Sequence, residues 1–141
     1  MWHVLRALIE QRPVSMLLLW GLALMTVLAS GLKSFGWHAD YVKQLEFMVG
    51  SDLHLHALLA LSLTLVVYRV LSATYASYQG VLFAGGIVAI GCMVDEALQA
   101  FAPLRTFSLL DILASLMGVM SASLCNAFWV GWRQRKPVAV H

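Results

Sequence analysis

The chain has 141 residues, 61% hydrophobic and 11% charged, with a formal net charge of +2 and a mean hydropathy of +0.82. A soluble domain carries about 25% charged residues, so this composition points to an integral membrane protein, with a single domain over residues 1–141. The basic residues are too few and too scattered for a nucleic-acid partner, and no cysteine pattern suits a metal.

In chain order, Met1 to Pro13 places Val4, Leu5, Leu8 and Ile9 on one helical face, which fits a short helix on the membrane surface. Pro13 suits the first turn of the helix that follows. Residues 14–32 form the first expected span, apolar throughout and near the roughly 20 residues a crossing needs. A signal peptide cleaved after Val27-Leu28-Ala29 is the alternative, but the run exceeds the usual apolar core of about 7–15 residues. Lys33 to Ser51 is the longest connection. Tyr41, Leu45, Met48 and Val49 recur there at helical spacing, so the segment reads either as an interfacial helix or as a polar loop.

Residues 52–71 form the second span, with Ser51 or Asp52 as its N-cap and Tyr68 and Arg69 at its far interface. The third span covers residues 80–99, where Gly85, Gly86, Ala89 and Gly91 offer small surfaces for helix contact; Pro103 ends it. The fourth covers residues 107–130. It carries Ala114, Gly118 and Ala122 at four-residue spacing and ends at Trp129 and Trp132, before Arg133, Arg135 and Lys136. The expected fold is therefore all-α: an integral membrane bundle of four transmembrane helices with room for a short interfacial helix. Four spans put both termini on one side. Cytoplasmic termini place Arg6, Arg12, Arg69, Arg133, Arg135 and Lys136 inside, against Lys33, Lys43 and Arg105 outside, as the positive-inside rule favours. Cys92 and Cys125 then fall in opposite leaflets, which argues against a disulfide.

The strongest polar side chains cluster at one depth on the outer side. Asp52 and His56 open the second span, Asp95, Glu96 and Gln99 close the third, Arg105 lies in the turn, and Ser108 and Asp111 open the fourth. Charge at membrane depth is costly and calls for a specific explanation. Asp52 and His56 share a helical face, as a general base with its orienting acid or as a dipole-stabilised acid beside a hydrogen-bonded His. His54 points roughly opposite His56, a poor joint metal site, and neither metal nor cofactor is expected. The seam Cys92, Glu96, Gln99 turns Glu96 inward and leaves Asp95 towards the interface; a Glu96–Arg105 ion pair is the structural alternative. Ser108-x-x-Asp111 fits a capping box. Arg105 either snorkels or grips phosphate or carboxylate in a bidentate fork, although Glu96 and Asp111 oppose an anion.

The same residues resemble the VanZ-like family of small membrane proteins, named for a teicoplanin-resistance protein. That family shows Asp-Lys-x-x-His, then Asp-Glu-x-x-Gln-x-Phe, Pro-Gly-Arg and Ser-x-x-Asp, followed by a small or Asn position and a Gly. Here Asp52 and His56 are kept with Leu53 in place of Lys. Asp95-Glu96-Ala97-Leu98-Gln99-Ala100-Phe101 matches throughout, Pro103 and Arg105 flank Leu104 in place of Gly, and Ser108, Asp111, Ser115 and Gly118 follow. The resemblance covers roughly residues 45 to 125. It implies a compact helical bundle in the bacterial inner (cytoplasmic) membrane and a link to glycopeptide resistance.

Four functions are open at this point. The first is a cell-envelope protein whose outer cleft (Asp52, His56, Glu96, Gln99, Arg105, Ser108, Asp111) binds a lipid headgroup or a cell-wall precursor. The second is an intramembrane enzyme on a lipid-linked substrate, with His56 as base or nucleophile and Glu96 as acid. The third is an ion pathway, disfavoured because the polar groups stop at one end. The fourth is an accessory subunit docking a membrane-protein partner through the Ala114, Gly118 and Ala122 seam.

Overall fold

The computed structural model describes residues 13–35, 39–75, 77–102 and 107–135. Among these, all regular structure is helical: α1 (Pro13–Phe35), α2 (Ala39–Val49), α3 (Asp52–Leu71), α4 (Tyr78–Gln99) and α5 (Leu109–Arg135). Four of the five are long and apolar enough to cross a membrane, and the chain is an all-α, multi-pass membrane bundle. The expected surface helix before Pro13 lies outside the described residues.

The helix limits follow local chemistry. Ser51 is the N-cap of α3, in extended conformation, and its Oγ accepts the His54 N–H at 3.3 Å. The residue before it, Gly50, has φ of 112°, a left-handed conformation that a Cβ penalises. That glycine stops α2 and turns the chain directly into α3. The connection expected as either helix or loop is thus an 11-residue helix, with Phe47 and Met48 more than 80% exposed. α4 begins at Tyr78, two residues before the expected 80, and α5 runs to Arg135, five beyond the expected 130. That extension carries an aromatic end: Trp129 and Trp132 meet edge to face at 6.4 Å, and the Arg133 guanidinium stands 5.5 Å from the Trp129 ring centre. Such belts mark a membrane–water boundary.

The core is held by α3, α4 and α5. Ala60 and Val67 of α3, Ala84 and Val88 of α4, and Val119 and Val130 of α5 form one buried cluster. α5 packs most extensively on α3, and Gly118 is the reason they come so close. A Cβ on Gly118 would lie 2.1 Å from the Ala57 carbonyl oxygen, and Ala122 one turn later is fully buried. The Gly118 and Ala122 part of the small-residue seam is therefore packed from within the chain. Small side chains at such a contact allow the backbone approach on which helix association in lipid depends.

α1 is different. None of its apolar side chains is buried; Leu19 only borders the core, and Leu17, Trp20, Leu24 and Val27 face outward. It leans on α3 and scarcely touches α4, and this leaves a gap beside the core.

Candidate functional site

Alternating spans bring the start of α3, the end of α4, the start of α5 and the later part of α1 to one end of the bundle. Three polar groups assemble there. In the first, Glu96 is 2% exposed and its Oε1 accepts the Ser108 backbone N–H at 2.6 Å. Ser108 Oγ in turn accepts the Asp111 N–H at 3.3 Å. This is half of the expected capping box. The other half, in which Asp111 would reach back to the Ser108 N–H, is taken over by Glu96 from the neighbouring helix.

The second group contains what the box releases. His56 Nε2 lies 3.6 Å from Asp52 Oδ1 on its own helix and 3.9 Å from Asp111 Oδ2 on α5. Neither distance is a hydrogen bond. Ligating atoms of Asp52, His56 and Asp111 all fall within 4.8 Å of one another, so these three are the described residues suited to a metal ion. His54 stays apart, exposed, with Nδ1 2.7 Å from Ser51 Oγ.

The third group ties α4 to α1. Ser30 Oγ donates to Asp95 Oδ1 at 2.8 Å. Gln99 Nε2 donates to Asp95 Oδ2 at 2.7 Å and to Ser30 Oγ at 3.3 Å. This corrects the expectation that Asp95 faces the interface. Adjacent residues on a helix point about 100° apart, and here both directions are occupied: Glu96 looks to α5 and Asp95 to α1. Ser30 carries no signal in the sequence, since a lone Ser in an apolar span has no distinguishing spacing.

Residues of the second and third groups border a cavity of about 320 Å³ between α1, α3 and α4. Its polar end has Asp52, His56, Asp95, Gln99, Ser30 and Ser115; its walls further along are Leu59, Leu63, Val67, Ile87 and Val88, faced by Ala23 and Val27. Glu46 of α2 also borders it. Glu96, Ser108 and Asp111 are not among the lining residues; they stand behind the wall and hold it. Of the expected site residues, Asp52, His56 and Gln99 thus meet the cavity. Arg105, with the expected Glu96–Arg105 pair, lies outside the described residues. Ser115, which the sequence offers only as a position in a pattern, is a lining side chain.

No protein-family model, curated protein or solved structure matches this sequence. The fold and site define a multi-pass helical membrane protein with a cavity that is polar at one end and apolar along its length.

Proposed function

We propose that this chain is a VanZ-like protein of the bacterial inner membrane, with both termini cytoplasmic, that binds a membrane lipid or lipid-linked cell-wall precursor. One observation carries the reading: a single cavity joins ionisable groups at one end to an apolar channel beside a helix that contributes little to the core. An amphiphile has that division of polarity. Its headgroup would meet Asp52, His56, Asp95 and Gln99, and its chain would lie against Leu59, Leu63 and Val67. The motif resemblance supports the family, and through it a link to glycopeptide resistance. The six-to-three excess of basic residues in the inner segments supports the orientation, which puts the headgroup end in the outer leaflet.

A second reading, an intramembrane enzyme acting on the same amphiphile, is favoured by the place of His56 at the cavity wall between two carboxylates. That is the setting of a general base with orienting acids. Glu96 does not share this setting, because its carboxylate is engaged with Ser108 behind the wall.

The test incubates purified wild type, Ala23→Trp and His56→Ala with an envelope lipid extract and follows protein and lipids by mass spectrometry. Binding predicts a lipid retained by wild type and lost from Ala23→Trp, whose indole fills the channel. Conversion of a lipid by wild type and not by His56→Ala makes the protein an enzyme. Equal lipid content in wild type and Ala23→Trp, with no conversion, rejects both.

A further inference from the structure

The Asp52, His56 and Asp111 trio at the headgroup end has a property that lipid binding alone does not explain. The Asp111 side chain is only 10% exposed, yet among the described residues its carboxylate oxygens have no hydrogen-bond donor. Among the described residues, its nearest candidate for a positive partner is His56, at 3.9 Å. A carboxylate so far removed from water is costly unless paired. The local sequence had a solution to hand, the capping box with Ser108, but Glu96 occupies that N–H at 2.6 Å and turns the Asp111 carboxylate towards α3.

We propose that Asp52, His56 and Asp111 bind one divalent transition-metal ion whose open coordination positions face the cavity. Asp52 and His56, at i and i+4, present two ligands from one helical face. Asp111 supplies the third from α5, which is pressed against α3 next to His56 by the Gly118–Ala57 contact. The donor set is one imidazole nitrogen and two carboxylate oxygens, suited to zinc or manganese rather than to thiolate-preferring ions. Bonds near 2.1 Å would space neighbouring ligand atoms by roughly 3.0–3.4 Å. The observed 3.6 and 3.9 Å would shorten by roughly 0.2–0.9 Å, and the third pair of ligand atoms, within 4.8 Å, would close with them through side-chain rotation. Three protein ligands leave one or more positions for water or a bound group. Asp52 and His56 border the cavity, so those positions open on its polar end.

The ion also resolves an electrostatic conflict. Asp52, Asp95 and Asp111 would repel the phosphate of a lipid headgroup; a divalent cation among them would attract it. Only this last point rests on the lipid reading. The metal site itself stands on the convergence of Asp52, His56 and the buried Asp111.

The experiment uses tag-free, full-length protein in detergent, without added lipid, stripped with EDTA and dialysed separately against Zn2+, Mn2+, Mg2+ and Co2+. Metal content is read by elemental mass spectrometry, and coordination by the visible absorption of Co2+. The expected result is about one Zn2+ or Mn2+ per wild-type chain with little retained Mg2+, a Co2+ spectrum of nitrogen–oxygen coordination, and a rise in wild-type melting temperature on metal addition. Asp111→Asn and His56→Gln should bind at least ten-fold more weakly, while His54→Ala should bind as wild type does. Absence of retained metal and of a melting shift in folded wild type overturns the proposal. So does equal binding by wild type and Asp111→Asn, or a loss confined to His54→Ala. The wild-type melting shift decides the matter even if a variant fails to fold. Because lipid is absent, failure here leaves the lipid-binding reading to its own test.

Discussion

The backbone N–H of Ser108 is held by the carboxylate of Glu96, 2.6 Å away across the α4–α5 junction. Glu96 thereby caps a helix to which it does not belong, and it fixes where α5 begins relative to the end of α4. Removing the acceptor leaves a partly buried donor without a partner, which costs about 1–3 kcal/mol. Glu96→Ala should therefore lower stability by about 2–3 kcal/mol, and Glu96→Gln, which keeps an acceptor, by about 1 kcal/mol or less. Reversible denaturation in mixed detergent micelles measures both. Equal losses would show that the acceptor at this position is immaterial.

Gly118 and Gly86 form a paired prediction. A Cβ at Gly118 strikes the Ala57 carbonyl at 2.1 Å, whereas one at Gly86 meets nothing within 4 Å. Gly118→Ala should cost about 1–3 kcal/mol as overpacking. Gly86→Ala should be neutral or add up to about 1 kcal/mol from helix propensity. Thermal melts of the two variants in the same detergent compare them directly.

The α2–α3 corner should be sensitive at two neighbouring positions for different reasons. Gly50→Ala forces a Cβ onto a residue with φ of 112° and should cost about 1–2 kcal/mol. Ser51→Ala removes the cap on the His54 N–H and should cost about 1 kcal/mol. Melting temperatures of the two single variants give the ranking. A stable Gly50→Ala would mean that the corner relaxes to another backbone shape.

Ser30, Asp95 and Gln99 share one hydrogen-bonded network, so their substitutions should not add. Ser30→Ala and Gln99→Ala together should destabilise less than the sum of the single changes, by a coupling of about 0.5–2 kcal/mol. A double-mutant cycle, with hydrogen exchange in α1 as the readout, measures it. Strict additivity would mean that the two side chains act on α1 independently.

Much of the architecture is legible in the sequence because spanning helices announce themselves by length and apolar content. α3 spans the expected residues 52–71, since Ser51 caps it at one end and the run of apolar residues closes at the other. The seam that turns Glu96 inward is legible for the same reason: helical spacing fixes which residues share a face. What spacing leaves open is which neighbour each face meets. Asp95 looked lipid-facing because nothing in the sequence says that α1 rests against that flank of α4. The Ala114, Gly118 and Ala122 stripe signalled close contact correctly, but a stripe does not distinguish a partner from another helix of its own chain. Likewise, the sequence puts His56 and Asp111 at one depth. Their separation of 3.9 Å follows from a crossing of α3 and α5 that only the packed bundle specifies.

α1 brings no buried apolar side chain to the core, and in a bilayer that matters more than it would in water. Lipid tails solvate an apolar helix as well as protein does, so little hydrophobic driving force keeps α1 at its neighbours' side. Among the described residues it is held by its packing on α3 and by the Ser30–Asp95–Gln99 network, and the buried cluster shared by α3, α4 and α5 contains no residue of α1. The bundle is thus a three-helix frame with a fourth wall laid against it, and the polar tie of that wall borders the polar end of the cavity. A group that entered that end and hydrogen-bonded Ser30 or Gln99 would draw on the same donors and acceptors that tie α1 to α4.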